Sequence, residues 1–514
     1  MEKRRALLIA VCLAFVGLGW LYTPKVAWAD DPAPLCRFGV NINTIHPGEV
    51  SEISSYNTAS LGIGWYINYH ADATPSRPNN IDYTPMVRLA EQYDESSNTY
   101  SYTYAPKGQA LQDVIDANPG ADWFIGNEPD RLYYQDSMVP EMYAAAYHEL
   151  YHLIKAADPK ARIFAGSIVQ PTDIRLQYVD LILQSYQAQF GEQMPVDGWS
   201  IHNFILNEQD CSRVTDGCWG ADIPPGVDAL SGLVIGLNEL EKHRDLELFK
   251  QQIQRFRVWM SERGYTGLPV YLSEYGVLLP DWYTKPNPDD PDNPIRLFPP
   301  QKVNEFMNDT FDYMLNAADP VLGDPTDDYR LIQRFSWYSV NEMTYTLQPS
   351  PAPYPEYQYN GYLFNPTNFE RSVMGDNYAD YVSALPETVD LYPVSLDVLP
   401  AVAAASTEVT AVVRTRIANS GNTLASQTAT VRFFEGDPEQ GGQQIGDDQT
   451  ITLSGCGDNV SVEVSWNNIS ADLHEIFVTV TPADGIVETN GANNARSQTF
   501  TPPKALNYLP IAKK

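Results

Sequence analysis

WFIGNEPDRLYYQDSMVPEMYAAAYHELYHLIKA, residues 123 to 156, sets the pattern on which the fold rests. It opens with a short run of large apolar residues, Trp123 to Gly126, which suits a buried strand and is too brief for a helix. A polar loop follows, and from Val139 to Ala156 apolar and small residues recur at helical spacing. Strand, loop and helix in that order form the unit from which parallel sheets are built.

The unit recurs from Cys36 to about Tyr338. Strands are predicted at Arg37 to Ile42, Leu61 to Ile67, Thr84 to Leu89, Trp123 to Gly126, Ile163 to Ile168, Gly198 to His202, Val270 to Ser273 and Ile332 to Tyr338. Eight strands are what closure of a (β/α)8 barrel requires. Helices are predicted at Val139 to Ala156, Ile174 to Gln189, Leu246 to Arg263 and Gln301 to Ala317. In the third, FKQQIQRFRVWM places Phe249, Ile253, Phe256, Val258 and Trp259 near one face. Residues 203 to 244 and 278 to 300 lack periodicity, and long loops on a barrel commonly serve as binding loops. NPDDPDNP at 287 to 294 reads as a solvated Pro-rich loop rather than a calcium site.

Between about Phe364 and Leu391 the pattern changes. TEVTAVVRTRIANSGNT, ATVRFFEG, QTITL, VSVEVSW and HEIFVTVTP then read as successive strands separated by turn residues. The expected fold class is therefore α/β, a (β/α)8 TIM barrel followed by a small all-β immunoglobulin-like sandwich. The expected boundaries are 1–29 for a signal peptide, 30–385 for the barrel, 390–502 for the sandwich and 503–514 for a tail.

The signal peptide is read from MEKRR, the apolar run from Ala6 to about Tyr22, and Ala27-Trp28-Ala29 before Asp30. An uncleaved anchor is the alternative, because the apolar run nears the lower limit for spanning a bilayer. Both readings put the remaining chain outside the cytoplasm. The formal net charge of −32 over 514 residues repels nucleic acid and anionic lipid and suits a protein acting on neutral or cationic material. Of the five cysteines, Cys12 leaves with the signal peptide. The close pair Cys211 and Cys218 is expected to staple a loop. Zinc is disfavoured there because no second CxxC or His pair lies nearby.

Two short stretches carry chemistry. WFIGNEPD delivers Asn127 and Glu128 to the carboxyl end of one strand, and LPVYLSEYG at 268 to 276 does the same for Glu274. In a barrel that end is the active face. Two carboxyl groups across one mouth are what glycoside hydrolysis needs, one to protonate the departing oxygen and one to stabilise or attack the oxocarbenium-like centre.

With Asn-Glu-Pro after the fourth strand and a glutamate ending the seventh, the chain from 36 to about 345 resembles the clan A glycoside hydrolases, retaining barrel enzymes named for those strands. The resemblance implies Glu128 as acid/base, Glu274 as nucleophile and Asn127 as the residue binding the sugar 2-hydroxyl. His202 ends strand six, but Phe204 stands where the clan often carries a tyrosine that supports the nucleophile. Tyr275 and Tyr338 are the candidates to replace it. Trp337 fits the aromatic platform beneath the catalytic sugar, and Arg88 is placed to steady Glu274. His202 and Arg88 read equally as structural hydrogen-bonding residues. Trp65, Tyr66 and Trp337 read equally as core or as sugar-stacking surface.

NSGNT, FFEGDPEQGGQQIG and IVETNGANN make the tail resemble the bacterial cell-adhesion-related domain abbreviated CARDB. Trp466 is expected in its core. NYLPIAKK at the end reads as a loose tail or a surface-attachment signal. The functional expectation is a secreted, monomeric enzyme hydrolysing β-linked glycan within a polysaccharide by double displacement, without cofactor or metal. The rivals are a transglycosylase and a catalytically silent glycan-binding or adhesion protein.

Overall fold

The structure is a computed structural model that describes residues 31–43, 50–132, 135–213, 219–342, 359–401 and 409–502. The expected signal segment and the final tail lie outside the described residues.

The first part is mixed α/β. Its strands are β1 (Leu35–Asn41), β2 (Ile63–Ile67), β3 (Asp82–Tyr83), β4 (Met86–Asp94), β5 (Thr99–Ala105), β6 (Asp122–Ile125), β7 (Arg162–Ile168), β8 (Gly198–His202), β9 (Val270–Tyr275), the two-residue strands β10 (Thr284–Lys285) and β11 (Ile295–Arg296), and β12 (Arg334–Trp337). The helices are α1 (Gln109–Ala117), α2 (Pro140–Ala157), α3 (Asp173–Phe190), α4 (Leu246–Glu262), α5 (Pro300–Asn316) and α6 (Val373–Ser383). Short 3-10 turns stand where helices would follow β1 and β2. β10 and β11 form an antiparallel hairpin within the segment expected to be a loop, with the Pro-rich stretch joining them.

Ten strands make one curled sheet in the order β3-β2-β1-β12-β9-β8-β7-β6-β4-β5. All pairs but the β4–β5 hairpin are parallel. Every residue of β1, β2, β6, β8, β9 and β12 is buried, as in a parallel sheet covered on both faces, which is why these strands read as nearly continuous apolar runs.

One face lies under the helices. The other encloses Trp65, Ile67, Tyr69, Met86, Phe124, Phe164 and Tyr271. The Trp65 ring lies 5.8 Å from that of Tyr271 and 6.4 Å from that of Phe124, although their strands are remote in the sheet order. The curl brings them together. Gly39 makes room for this floor: a Cβ there would stand 2.4 Å from the Trp65 indole. On α4, Phe249, Ile253, Phe256 and Trp259 are buried, but Val258 is exposed, which corrects the expected face. Nine positions after Phe249 is two and a half helical turns, so Val258 points the opposite way. Asp245 caps this helix by accepting from the backbone N–H groups of Glu247 and Leu248.

The C-terminal part is entirely antiparallel. It contains β13 (Leu391–Ala401), β14 (Val409–Asn419), β15 (Gln427–Glu435), β16 (Gln443–Leu453), β17 (Asp458–Ile469), β18 (His474–Pro482) and β19 (Ala495–Phe500). They form two sheets, β13-β14-β17 and β16-β15-β18-β19. Both contribute to one apolar core that includes Leu391, Val413, Ile417, Val431, Phe433, Ile476 and Val478, with Trp466 buried beside them.

This part docks where β1 begins. Arg37 forms a bidentate pair with Asp327 at 2.7 and 2.6 Å and donates to the Ser420 carbonyl at 2.8 Å. Tyr392 donates to the Pro325 carbonyl at 2.9 Å, and the Cys36 N–H donates to the Asn422 carbonyl at 2.9 Å. A Cys36–Cys456 disulfide crosses the same junction. Its two cysteines lie 420 positions apart, so no local spacing marks them as a pair. Cys211 is also disulfide-bonded, and its expected partner Cys218 lies outside the described residues.

Candidate active site

Strand β6 ends at Ile125, and the chain leaves it through Gly126, Asn127 and Glu128. Glu128 has φ 44°, a left-handed conformation in which a side-chain-bearing residue is strained. Such outliers persist where the surroundings over-determine them, and they cluster at functional sites. Here the backbone N–H of Asn127 donates to Asp136 at 2.8 Å, and that of Glu128 donates to the Ser167 carbonyl at 3.0 Å. Glu274 and His202 come from β9 and β8, where they are direct partners in the parallel ladder.

His202 lies between the two glutamates. Its Nδ1 is 3.2 Å from Glu128 Oε1. Its Nε2 is 3.3 Å from Glu274 Oε1, an ion-pair contact without hydrogen-bond alignment. One carboxylate oxygen from each glutamate and a ring nitrogen of His202 all lie within 4.8 Å of one another. A single cation would need the same spacing, but both His202 nitrogens already face carboxylates. Arg131 Nη1 donates to the second Glu128 oxygen at 3.3 Å.

All three groups are buried, so their charges are coupled. Burial pushes the Glu274 carboxyl up to about 7; the Glu128 charge adds to this, while His202 opposes it. Burial also disfavours the Glu128 anion, but Arg131 and His202 outweigh it and draw that carboxyl down to about 2. His202 is raised: burial lowers it, and the two carboxylates more than compensate. Below about pH 7 the glutamate pair therefore holds one proton, on Glu274.

A cavity of about 300 Å³ opens on this group, lined by Asn43, Tyr69, His70, Arg88, Asn127, Arg131, Gln135, Phe204, Leu278, Tyr338 and Tyr359 as well as both glutamates. The Asn127 Oδ1 is buried with no hydrogen-bond partner among the described residues, so it is an acceptor available to a ligand hydroxyl. A larger cavity of about 830 Å³ lies at the far end of the strands, beside the docked sheets. Its buried carboxylate Asp122 is paired with Arg162, and its Asp82 with Arg334.

Several sequence-predicted residues stand elsewhere. Arg88 lines the cavity but pairs with Asp136 at 2.7 Å and donates to Gln135 at 3.0 Å, not to Glu274. Trp337 is fully buried, donates its indole N–H to the Gly361 carbonyl at 2.7 Å and does not line the cavity. Its neighbour Tyr338 does, because adjacent residues of an extended chain face opposite ways. Trp65 belongs to the sheet's inner floor, and Tyr66 to the core under the helices. Tyr275 is buried against Phe249 and Trp337, away from Glu274.

The tyrosine beside Glu274 is Tyr69, which sequence reading missed. Its hydroxyl is close enough to steady the Glu274 charge without being aligned as a hydrogen bond. Burial, followed by the Glu274 charge, holds its own proton well above the usual phenol range. Arg131 was also missed, although its place three residues after Glu128 was a usable signal.

No protein-family model matches this chain, and no curated protein matches it. Among solved structures it is similar to a glucosidase from Croceicoccus marinus, with 10% identity over 88% of this chain and 97% of that one and a TM-score of 0.41. It is also similar to a family 51 α-L-arabinofuranosidase from Bifidobacterium longum, with 10% identity over 85% of this chain and 96% of that one and a TM-score of 0.37. A CARDB domain from Pyrococcus furiosus aligns with 23% of this chain and 96% of its own length at 18% identity, with a TM-score of 0.19.

Proposed function

We propose that the chain is a secreted glycoside hydrolase that cleaves β-linked glycan within a polysaccharide and retains the anomeric configuration. The observation that carries this reading is the pair of buried glutamates from separate strand ends, with one oxygen of each within 4.8 Å of the other and of His202. Retaining enzymes hold their carboxyl groups about 5 to 5.5 Å apart, whereas inverting enzymes leave a wider gap for water.

In this reading the curled sheet is a closed (β/α)8 barrel. β3 lies on β2, β4 lies on β6, and only Thr84 and Pro85 separate β3 from β4; the Thr84 N–H donates to Tyr66, and the Pro85 carbonyl accepts from Phe124. Residues 30–385 form the catalytic domain, and 390–502 form an accessory sandwich that is dispensable for chemistry. Residues 1–29 are a cleaved signal peptide.

The glutamates divide the reaction. Glu274 attacks the anomeric carbon while Glu128 gives its proton to the departing glycosidic oxygen, and the carbon–oxygen bond breaks to leave a glycosyl ester on Glu274. Glu128 then takes a proton from water, which attacks the same carbon and releases Glu274. Asn127 binds the sugar 2-hydroxyl, and Tyr69 steadies the nucleophile. The resting charges run against this order, since Arg131 and His202 hold Glu128 ionised. A sugar that takes Arg131 away from Glu128 moves the shared proton to it. A second reading follows from the same contacts and exchanges the two roles.

A 2-fluoro glycoside with an activated leaving group separates the readings. Peptide mapping by mass spectrometry should find the trapped sugar on Glu274. A sugar on Glu128 reverses the roles, and rapid turnover without an adduct, giving the inverted anomer by NMR, refutes retention.

A further inference from the structure

A second cluster, remote from the cavity, has the composition of a metal site. His148 and His152 lie four positions apart on α2 and share one face, with ring centroids 4.4 Å apart. Helix α3 ends beside them. Its C-cap Gly191 has φ 76°, a left-handed turn that glycine adopts freely, and the turn aims Glu192 at the two imidazoles. One potential ligand atom from each of His148, His152 and Glu192 lies within 4.8 Å of the other two.

His148 is held in place before any ion arrives. Its ring stacks on Phe190 at 3.6 Å with an interplanar angle of 4°, and Nδ1 is engaged by the Tyr186 hydroxyl at 2.8 Å. That contact leaves Nε2 as the nitrogen to be offered and orients the ring, as outer partners of metal-bound histidines do.

We propose that His148, His152 and Glu192 bind one divalent transition-metal ion of the zinc type, with water completing the coordination. Two imidazoles and a carboxylate suit zinc, copper or nickel, whereas calcium and magnesium call for oxygen donors throughout. The bound ion ties the second half of α2 to the end of α3.

The test is calorimetric titration of the metal-free full chain with zinc chloride in excess calcium, which occupies the many surface carboxylates. One saturable zinc site is expected. His152→Ala, at an exposed position, should weaken it at least tenfold, as should His148→Ala, and Glu192→Gln should weaken it less. Glu128→Gln and Glu274→Gln should leave it unchanged, which separates it from the His202 cluster. Zinc should raise the wild-type Tm by about 2 to 6 °C and leave that of His152→Ala in place. Zinc affinity that survives His152→Ala, or that calcium abolishes, overturns the proposal.

Discussion

At the start of β1 the Arg37 guanidinium meets both oxygens of Asp327 and three main-chain carbonyls, Gln333, Ser420 and Gly421, and a disulfide closes the contact. At the far ends of β8, β9 and β6, two buried glutamates share one histidine, Glu128 sits in a strained conformation, and the Asn127 oxygen has no described partner. Both ends bury charge. At one end Arg37 and Asp327 pair in bidentate geometry, and the other leaves acceptors and a shared proton for something still to arrive. The floor contributes stability that the mouth gives up, which is the usual exchange between a scaffold and a reactive site.

The largest expected effect is at the mouth. Glu128→Gln should lower kcat on an unactivated oligosaccharide by about 10²- to 10⁴-fold, while a glycoside with an activated leaving group loses far less in its first step. Equal losses on both substrates would mean that Glu128 does not handle the proton. At the floor, Asp327→Ala leaves Arg37 buried without its carboxylate and should cost about 3 to 5 kcal/mol in chemical denaturation. A loss under 1 kcal/mol would erase the contrast between the ends. Replacing Cys36 and Cys456 together by serine should cost about 2 to 4 kcal/mol and leave turnover intact.

The smallest effect has the opposite sign. Burial raises the Glu274 carboxyl from 4.5 to about 7, so its ionisation opposes folding: the penalty is absent below pH 4.5 and complete above pH 7. Glu274→Gln should therefore stabilise the protein by about 1 to 3 kcal/mol at pH 8 and hardly at all at pH 4.5. The comparison of Tm values at the two pH settings checks this, and an equal change at both would remove the electrostatic explanation.

Much of this architecture could be read in advance. Strands buried on both faces leave unbroken apolar runs, so all eight predicted strands have counterparts in the sheet. Glu128 and Glu274 stood out because each follows such a run directly. What stayed hidden depends on which way a side chain turns or on distant partners. Trp337 and Tyr338 are adjacent, and nothing in the string says which of them faces the cavity. Arg88 finds Asp136 across a loop without periodicity. Tyr69 reaches Glu274 from a backbone position whose own φ is 62°, and that turn has no glycine to announce it. Close spacing favoured Cys211 with Cys218 and concealed Cys36 with Cys456, 420 positions apart.

That last link turns nearly the whole chain into a covalent ring. A protease that cuts a rim loop between Cys36 and Cys456 opens the ring without dividing the molecule, and both fragments stay joined until a reductant arrives. On a non-reducing gel the nicked protein should run as one species, and on a reducing gel as two. The crosslink thus makes damage at the rim a local event.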